Sequence, residues 1–117
     1  MKIVTKPWGY EKWISVTDKY VMKEIFMVAG KRCSLQYHKA KEESNYILEG
    51  KCILEIDGEA LELIKGDFFH VKPPAVHRVE AIENLTMIEV STPEVDDVVR
   101  IKDDFDRPNG RIESEHV

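Results

Sequence analysis

The chain has 117 residues, 43% of them apolar, and a formal net charge of −5. That length fits one domain with a core of its own, and the apolar share excludes a disordered chain. The acidic balance argues against a general nucleic-acid binder, which would show a basic face.

The opening "MKIVTKPWGYEKW" lacks the apolar core of a signal peptide, and the longest apolar run, 25–29, is too short to span a bilayer. Two cysteines, Cys33 and Cys52, are too few for a disulfide framework. Both read as reduced thiols of a cytoplasmic protein with no membrane partner, and Cys33 as a packed, inert one. From residue 10 onward the chain reads as short strands. "YEKWISV" alternates, with Tyr10, Lys12, Ile14 and Val16 on one face and Trp13 on the other. "YVMKEIFMV" and "CSLQYH" follow across the break "AGKR". "NYILEGKCILEIDGEALELI" reads as two or three strands, and Asp57-Gly58 marks a type I′ hairpin within it. "DFFHVK", "VHRVEAI" and "LTMIEVS" continue the pattern between Gly66, Pro73-Pro74 and Asn84. "EVDDVVRIKDDF" suits either a last strand or a short helix, and the polar end beyond Arg107 reads as flexible. Strand segments at this spacing, without a long amphipathic helix, predict an all-β sandwich or barrel.

One stretch, "SLQYHKAKEES", carries chemistry. Residues i and i+2 of a strand share a face about 7 Å apart, so Gln36 and His38 project together while Tyr37 faces away. Glu43 follows five residues after His38, and His77 opens a later strand-like segment. Imidazole nitrogens, a carboxylate and an amide oxygen are suitable ligands for a divalent metal. Such a set leaves a site charge near +1, which suits an anionic or hydroxylated substrate. Taken singly, each residue has an ordinary explanation: a lone histidine is more often structural, and Glu42 and Glu43 beside Lys39 and Lys41 read as a solvated turn.

The joint spacing is what stands out. Gly30 is followed by five residues and Gln36, one and His38, four and Glu43, then six and Gly50; Gly66 is followed by ten and His77. This pair of patterns resembles the two motifs of the cupin family, with Gln36 where the first histidine is usual. In the second motif Lys72 stands for the usual Pro, Pro74 for the Gly and Ala81 for the Asn. The resemblance implies an all-β cupin barrel (a double-stranded β-helix, or jelly roll) as a single domain over 1–107, with a polar tail over 108–117. Only Glu43, and not Glu42, has the family's distance to Gly50.

Within cupins the chain is similar to the carboxy-terminal domain of type II mannose-6-phosphate isomerase/mannose-1-phosphate guanylyltransferases. "KPWGYEKW", "SLQYH", "VHRVE", "IEV" and "DDVVRIKDDFDR" carry that likeness, and Lys41 and Glu43 stand where the family has Arg-x-Glu. Ser44-Asn45 replace a bulkier His-Trp, and the nucleotidyltransferase domain is absent, so no guanylyltransferase activity is implied. The glutamine also matches type I phosphomannose isomerases, in which Gln, His, Glu and His bind zinc.

The resemblance implies a metal held by Gln36, His38, Glu43 and His77, zinc first, with Mn, Fe, Ni or Co also compatible. It implies isomerisation of mannose 6-phosphate to fructose 6-phosphate through an enediol. Lys41 and Arg78 are expected to flank the metal, and Arg100 to reach the phosphate or a hydroxyl unless it pairs with Asp103 or Asp104. No residue stands out as the base. His70 shares the parity of Phe68 and is assigned to packing. Trp8 and Trp13 read as packing or dimer residues, and a homodimer acting on a small phosphosugar is expected. Two other readings stay open: a sugar-binding cupin without turnover, and a non-haem metal cupin doing oxygen chemistry.

Overall fold

Alternating apolar positions and turn residues divide the chain into strands, and the computed structural model, which describes residues 1–116, shows where each one goes. Among these residues eleven strands run in order: β1 (Lys2–Lys6), β2 (Gly9–Val16), β3 (Val21–Met27), β4 (Leu35–Tyr37), β5 (Glu43–Glu49), β6 (Lys51–Ile56), β7 (Glu59–Ile64), β8 (Phe68–Val71), β9 (His77–Ala81), β10 (Leu85–Ser91) and β11 (Val99–Lys102). They form a six-stranded sheet, β1-β2-β3-β10-β5-β8, and a five-stranded sheet, β11-β4-β9-β6-β7. Every pairing is antiparallel. This is the all-β architecture that the strand pattern predicts, in the two-sheet jelly-roll form that the cupin resemblance implies, and the ambiguous segment near the end contributes a strand, β11. No helix among the described residues is long and apolar enough to cross a membrane.

The register grades the interior from apolar to charged. Alternate residues of β3, β5 and β10 point inward. Met27 pairs with Leu85, and Ile25 and Ile47 flank Met87. One row further along, Lys23 and Asn45 flank Glu89. The apolar end holds the core, in which Met27, Ile47, Leu54, Val71 and Leu85 are essentially sealed from water. The charged end opens toward the cavity described below.

Two turns have a plain physical basis. Asp57 and Gly58 both have positive φ, at 47° and 84°, as a type I′ turn requires. Gly50 has φ 92°, and a Cβ there would lie 2.1 Å from the Asn84 carbonyl oxygen, so no side chain fits.

The segment 108–116, expected as a polar tail beyond a boundary at 107, is largely exposed but makes specific contacts with the strands; Val117 lies outside the described residues. Gly110 N–H donates to Val98 O at 3.0 Å. A single 3-10 turn at Glu113–Glu115 buries Glu115, which pairs with Lys6 and Arg107. Its polar side chains have complementary partners on β1 and after β11, and a composition-based reading cannot see those. His70 is also not where parity with Phe68 suggested packing. Both residues face outward, Phe68 at 72% exposure, and His70 Nε2 lies 2.8 Å from Glu42 Oε2 on the barrel exterior.

Candidate metal centre

His38 follows β4, Glu43 opens β5 and His77 opens β9, so the cluster bridges the two sheets. Gln36 and His77 are direct cross-strand partners, which brings the distant histidine to the "SLQYH" strand. All three of His38, Glu43 and His77 are buried, and one ligand atom from each lies within 4.8 Å of the others. His38 Nε2 is 2.9 Å and His77 Nε2 3.5 Å from the same oxygen, Glu43 Oε1.

The hydrogen bonds on the far side of each ring decide what this convergence means. His38 Nδ1 meets the Asp97 carbonyl at 2.6 Å, and His77 Nδ1 meets the Ala75 carbonyl at 3.0 Å. A carbonyl oxygen only accepts, so each Nδ1 carries the proton. In the neutral rings both Nε2 lone pairs then point at a carboxylate, three acceptors facing one another. Only a proton or a metal cation reconciles them. Backbone carbonyls that fix the tautomer in this way are the usual outer support of metal-binding histidines. The donor set therefore fits a divalent cation.

The electrostatics agree. Burial alone pushes the Glu43 carboxyl up, but the Lys41 charge and hydrogen bonds from His38, His77 and Glu89 hold it well below the usual carboxylate range. Burial opposes charge on His77, yet its hydrogen bond to Glu43 raises the imidazole above its ordinary value. Glu43 Oε2 accepts from Asn45 Nδ2 at 2.9 Å, so the residue that replaces a bulkier aromatic in the family pattern holds the carboxylate. Gln36 lines the same cavity, with its amide oxygen 2.5 Å from Ser34 Oγ, which donates to it.

Asp97 organises the turn between His38 and Glu43. Besides its carbonyl bond to His38, its carboxylate accepts from the backbone N–H groups of Lys39, Ala40 and Lys41 at 3.0, 2.7 and 3.0 Å. Those bonds hold its own carboxyl below the usual value despite burial. The "DDVVR" segment, a mark of the family resemblance, thus has a structural purpose at the cluster.

The three residues expected beside the metal are placed differently from one another. Lys41 is buried in the cavity wall, and its ammonium lies 3.1 Å from Glu89 Oε2. Arg100 lines the cavity mouth, donating to the carbonyls of Pro108 and Gly110. It pairs with neither of its expected acids, because Asp103 binds Arg107 and Asp104 binds Arg32. Arg78 does not flank the site. It follows His77 directly, so strand alternation turns it outward, where it donates to the Cys33 and Lys102 carbonyls.

The cavity, about 110 Å³, also takes in Trp8, Trp13, Glu11, Lys23 and Glu89, which the sequence reading passed over as site residues. A signal was present: Lys23 has the parity of Val21, Ile25 and Met27, and Glu89 that of Leu85 and Met87. Lys23 Nζ is 3.2 Å from Glu11 Oε1 and 4.6 Å from the Trp13 ring centre. Burial pushes the Glu11 carboxyl up, but Lys23, Lys6 and the Trp13 N–H bring it down to about 2. Cys33 lines the cavity as a thiol that burial pushes up, in keeping with an inert role.

Comparison with known proteins agrees with this architecture. An uncharacterized protein from Methanocaldococcus jannaschii is 33% identical over 69 residues, 59% of this chain and 55% of that protein, so the match spans little more than half of the relative. KdgF from Halomonas sp. superposes with a TM-score of 0.71 at 21% identity, over 75% of this chain and 82% of its own. An RmlC-like cupin from Shewanella frigidimarina does so at 0.70 and 18%, over 80% and 85%. A candidate sugar phosphate isomerase from Acidithiobacillus ferrooxidans gives 0.59 at 23%, over 63% and 50%. At these identities the structural likenesses show the cupin fold alone. The family profile described as mannose-6-phosphate isomerase C-terminal matches residues 1–103, and the chain belongs to that family.

Proposed function

We propose that the protein is a metal-dependent aldose–ketose isomerase of the mannose-6-phosphate isomerase type, interconverting mannose 6-phosphate and fructose 6-phosphate. One observation carries the reading: two buried imidazoles and a carboxylate converge as ligands, beside Gln36, in a chain of the mannose-6-phosphate isomerase C-terminal family. His38, Glu43 and His77, with Gln36 as a fourth ligand, would hold a divalent ion, which would supply Lewis-acid stabilisation of developing oxyanion charge.

The chain's own residues do the rest. Asp97 and Ala75 hold the two rings in one tautomer, and Asn45 fixes the Glu43 carboxylate. Lys41, kept charged by Glu89 and Glu43 against the cost of burial, lends positive potential to the wall. For the proton transfer itself we assign Glu89. Asp97 is committed to backbone amides, Asp96 is exposed, and Glu11, at about 2, is a weak base.

The test is metal analysis of the purified protein, followed by NMR of mannose 6-phosphate with and without a chelator. Fructose 6-phosphate formed only by metal-loaded protein is the expected result; a loaded protein that leaves the sugar unchanged rejects the reading. The two-histidine, one-carboxylate set also matches the ligand pattern of non-haem iron oxygenases. Oxygen uptake by iron-loaded protein, in place of isomerisation, would select that alternative.

A further inference from the structure

Besides Arg111, which pairs with Glu113, three cations line this end of the cavity: Lys6 from β1, Arg100 from β11, and Arg107 from the loop that follows. Two of them are largely withdrawn from water, with side-chain exposures of 12% for Lys6 and 9% for Arg107. What they hold is the chain's own segment 108–116. Lys6 Nζ is 2.9 Å from Glu115 Oε1 and Arg107 Nη1 is 3.3 Å from Glu115 Oε2, so one carboxylate bridges two cations. Arg100 donates to the Pro108 and Gly110 carbonyls, and its buried Nε has no partner among the described residues. Gly110, Arg111, Ile112 and His116 complete this part of the cavity wall.

The charge balance shows what the mouth becomes without that segment. Asp103 stays with Arg107 through paired bonds of 2.8 and 3.0 Å. Arg111 and Glu113 pair with each other, so they leave together and change nothing. Glu115 is the residue that matters, since its departure leaves Lys6, Arg100 and Arg107 facing Asp103 and Glu11, and Glu11 already has Lys23 at 3.2 Å. Two surplus positive charges match a phosphate dianion in charge, and Lys6, the Arg100 guanidinium and Arg107 Nη1 supply the donors while the rest of the Arg107 fork stays on Asp103. The carbonyls released from Arg100 free further donors for the same ligand.

We propose that Lys6, Arg100 and Arg107 form the binding site for a substrate phosphate, and that Glu115 occupies it in the unliganded protein. Segment 108–116 and the phosphate then exchange, which also widens the way into the cavity. The choice of a phosphorylated sugar as ligand rests on the isomerase reading.

Inorganic phosphate is the probe, titrated calorimetrically into metal-free full-length protein in chelator at fixed ionic strength. Glu115→Gln removes the internal competitor and is expected to tighten phosphate binding about tenfold. Lys6→Met is expected to weaken it by a similar factor. Phosphate saturation should also speed amide exchange at Gly110, whose N–H is bonded to Val98 O. Affinity unchanged in Glu115→Gln overturns the proposal, and so does slower exchange at Gly110, which would mean that the segment closes over the ligand. If Lys6→Met does not fold, as judged by circular dichroism, Glu115→Gln and the exchange measurement still decide. Phosphate behaving as expected without turnover of mannose 6-phosphate overturns the isomerase reading alone. Turnover with phosphate affinity indifferent to Glu115 overturns the anion site alone.

Discussion

Two of the charged groups that the barrel buries contrast sharply, because it completes only one of this pair from within. On the wall built by β2, β3 and β10, Glu11 has Lys23 at 3.2 Å and Glu89 has Lys41 at 3.1 Å. Each carboxylate there has its own ammonium. Where β4, β5 and β9 meet, His38, Glu43 and His77 point lone pairs at one another and the polypeptide offers no cation between them. Burial of charge is therefore a poor sign of a binding site in this molecule. A buried set that its own chain leaves incomplete is a much better one.

The sharpest way to break the contrast is Glu43→Ala. It removes the single carboxylate of the cluster, and metal affinity by chelator competition should fall by well over the tenfold to hundredfold typical of outer supporting residues. Lys23→Met tests the other wall. It strands Glu11 in the interior and should cost about 3–5 kcal/mol in urea unfolding, most of it recovered by adding Glu11→Leu. Metal affinity should be unaffected in that double variant; a large drop would mean that the two walls are one network.

Asp97→Asn lies between these cases, since Asp97 touches no ligand atom except through the His38 ring. It should weaken metal binding roughly tenfold to hundredfold, with a stability loss of about 1–3 kcal/mol from the weakened amide bonds. The smallest effect is a pH trend. His77 is raised in the metal-free fold, so its contribution to stability is complete below the ordinary value of about 6.5 and is lost as pH rises through the raised one. Melting of metal-free protein should thus drop slightly across neutral pH, while metal affinity climbs over the same range because the ligand must be deprotonated. Parallel trends would remove His77 from the cluster.

How far this could be read beforehand follows from what each residue has to do. Gln36 and His38 were paired by strand alternation, and Glu43 was separated from Glu42 by its distance to Gly50. That distance is physical: Glu43 opens β5 facing inward, and the strand ends where the Asn84 backbone tolerates only glycine. Arg78 failed because adjacent strand residues cannot both face the cavity, a rule available from the sequence once His77 was chosen. Glu11, Lys23 and Glu89 were overlooked because charged residues in alternating strands ordinarily mark the wet face. Asp97 and Glu115 could not be found from local pattern at all. The partners of Asp97 lie 56 residues or more away in the chain and Lys6 lies 109 from Glu115, so only closure of the barrel brings them together.

The cluster draws Glu43 from one sheet and His77 from the other, and this would give a bound ion a mechanical consequence apart from any chemistry. A cation at that point rivets the two sheets together at their open end. The sheets cannot part there until a ligand lets go, so bound metal should slow unfolding far more than it speeds folding, because the ligands meet only once the barrel has closed. The protein's lifetime under stress would then follow how fast it releases its ion, and its resistance to unfolding would report metal occupancy without any substrate present.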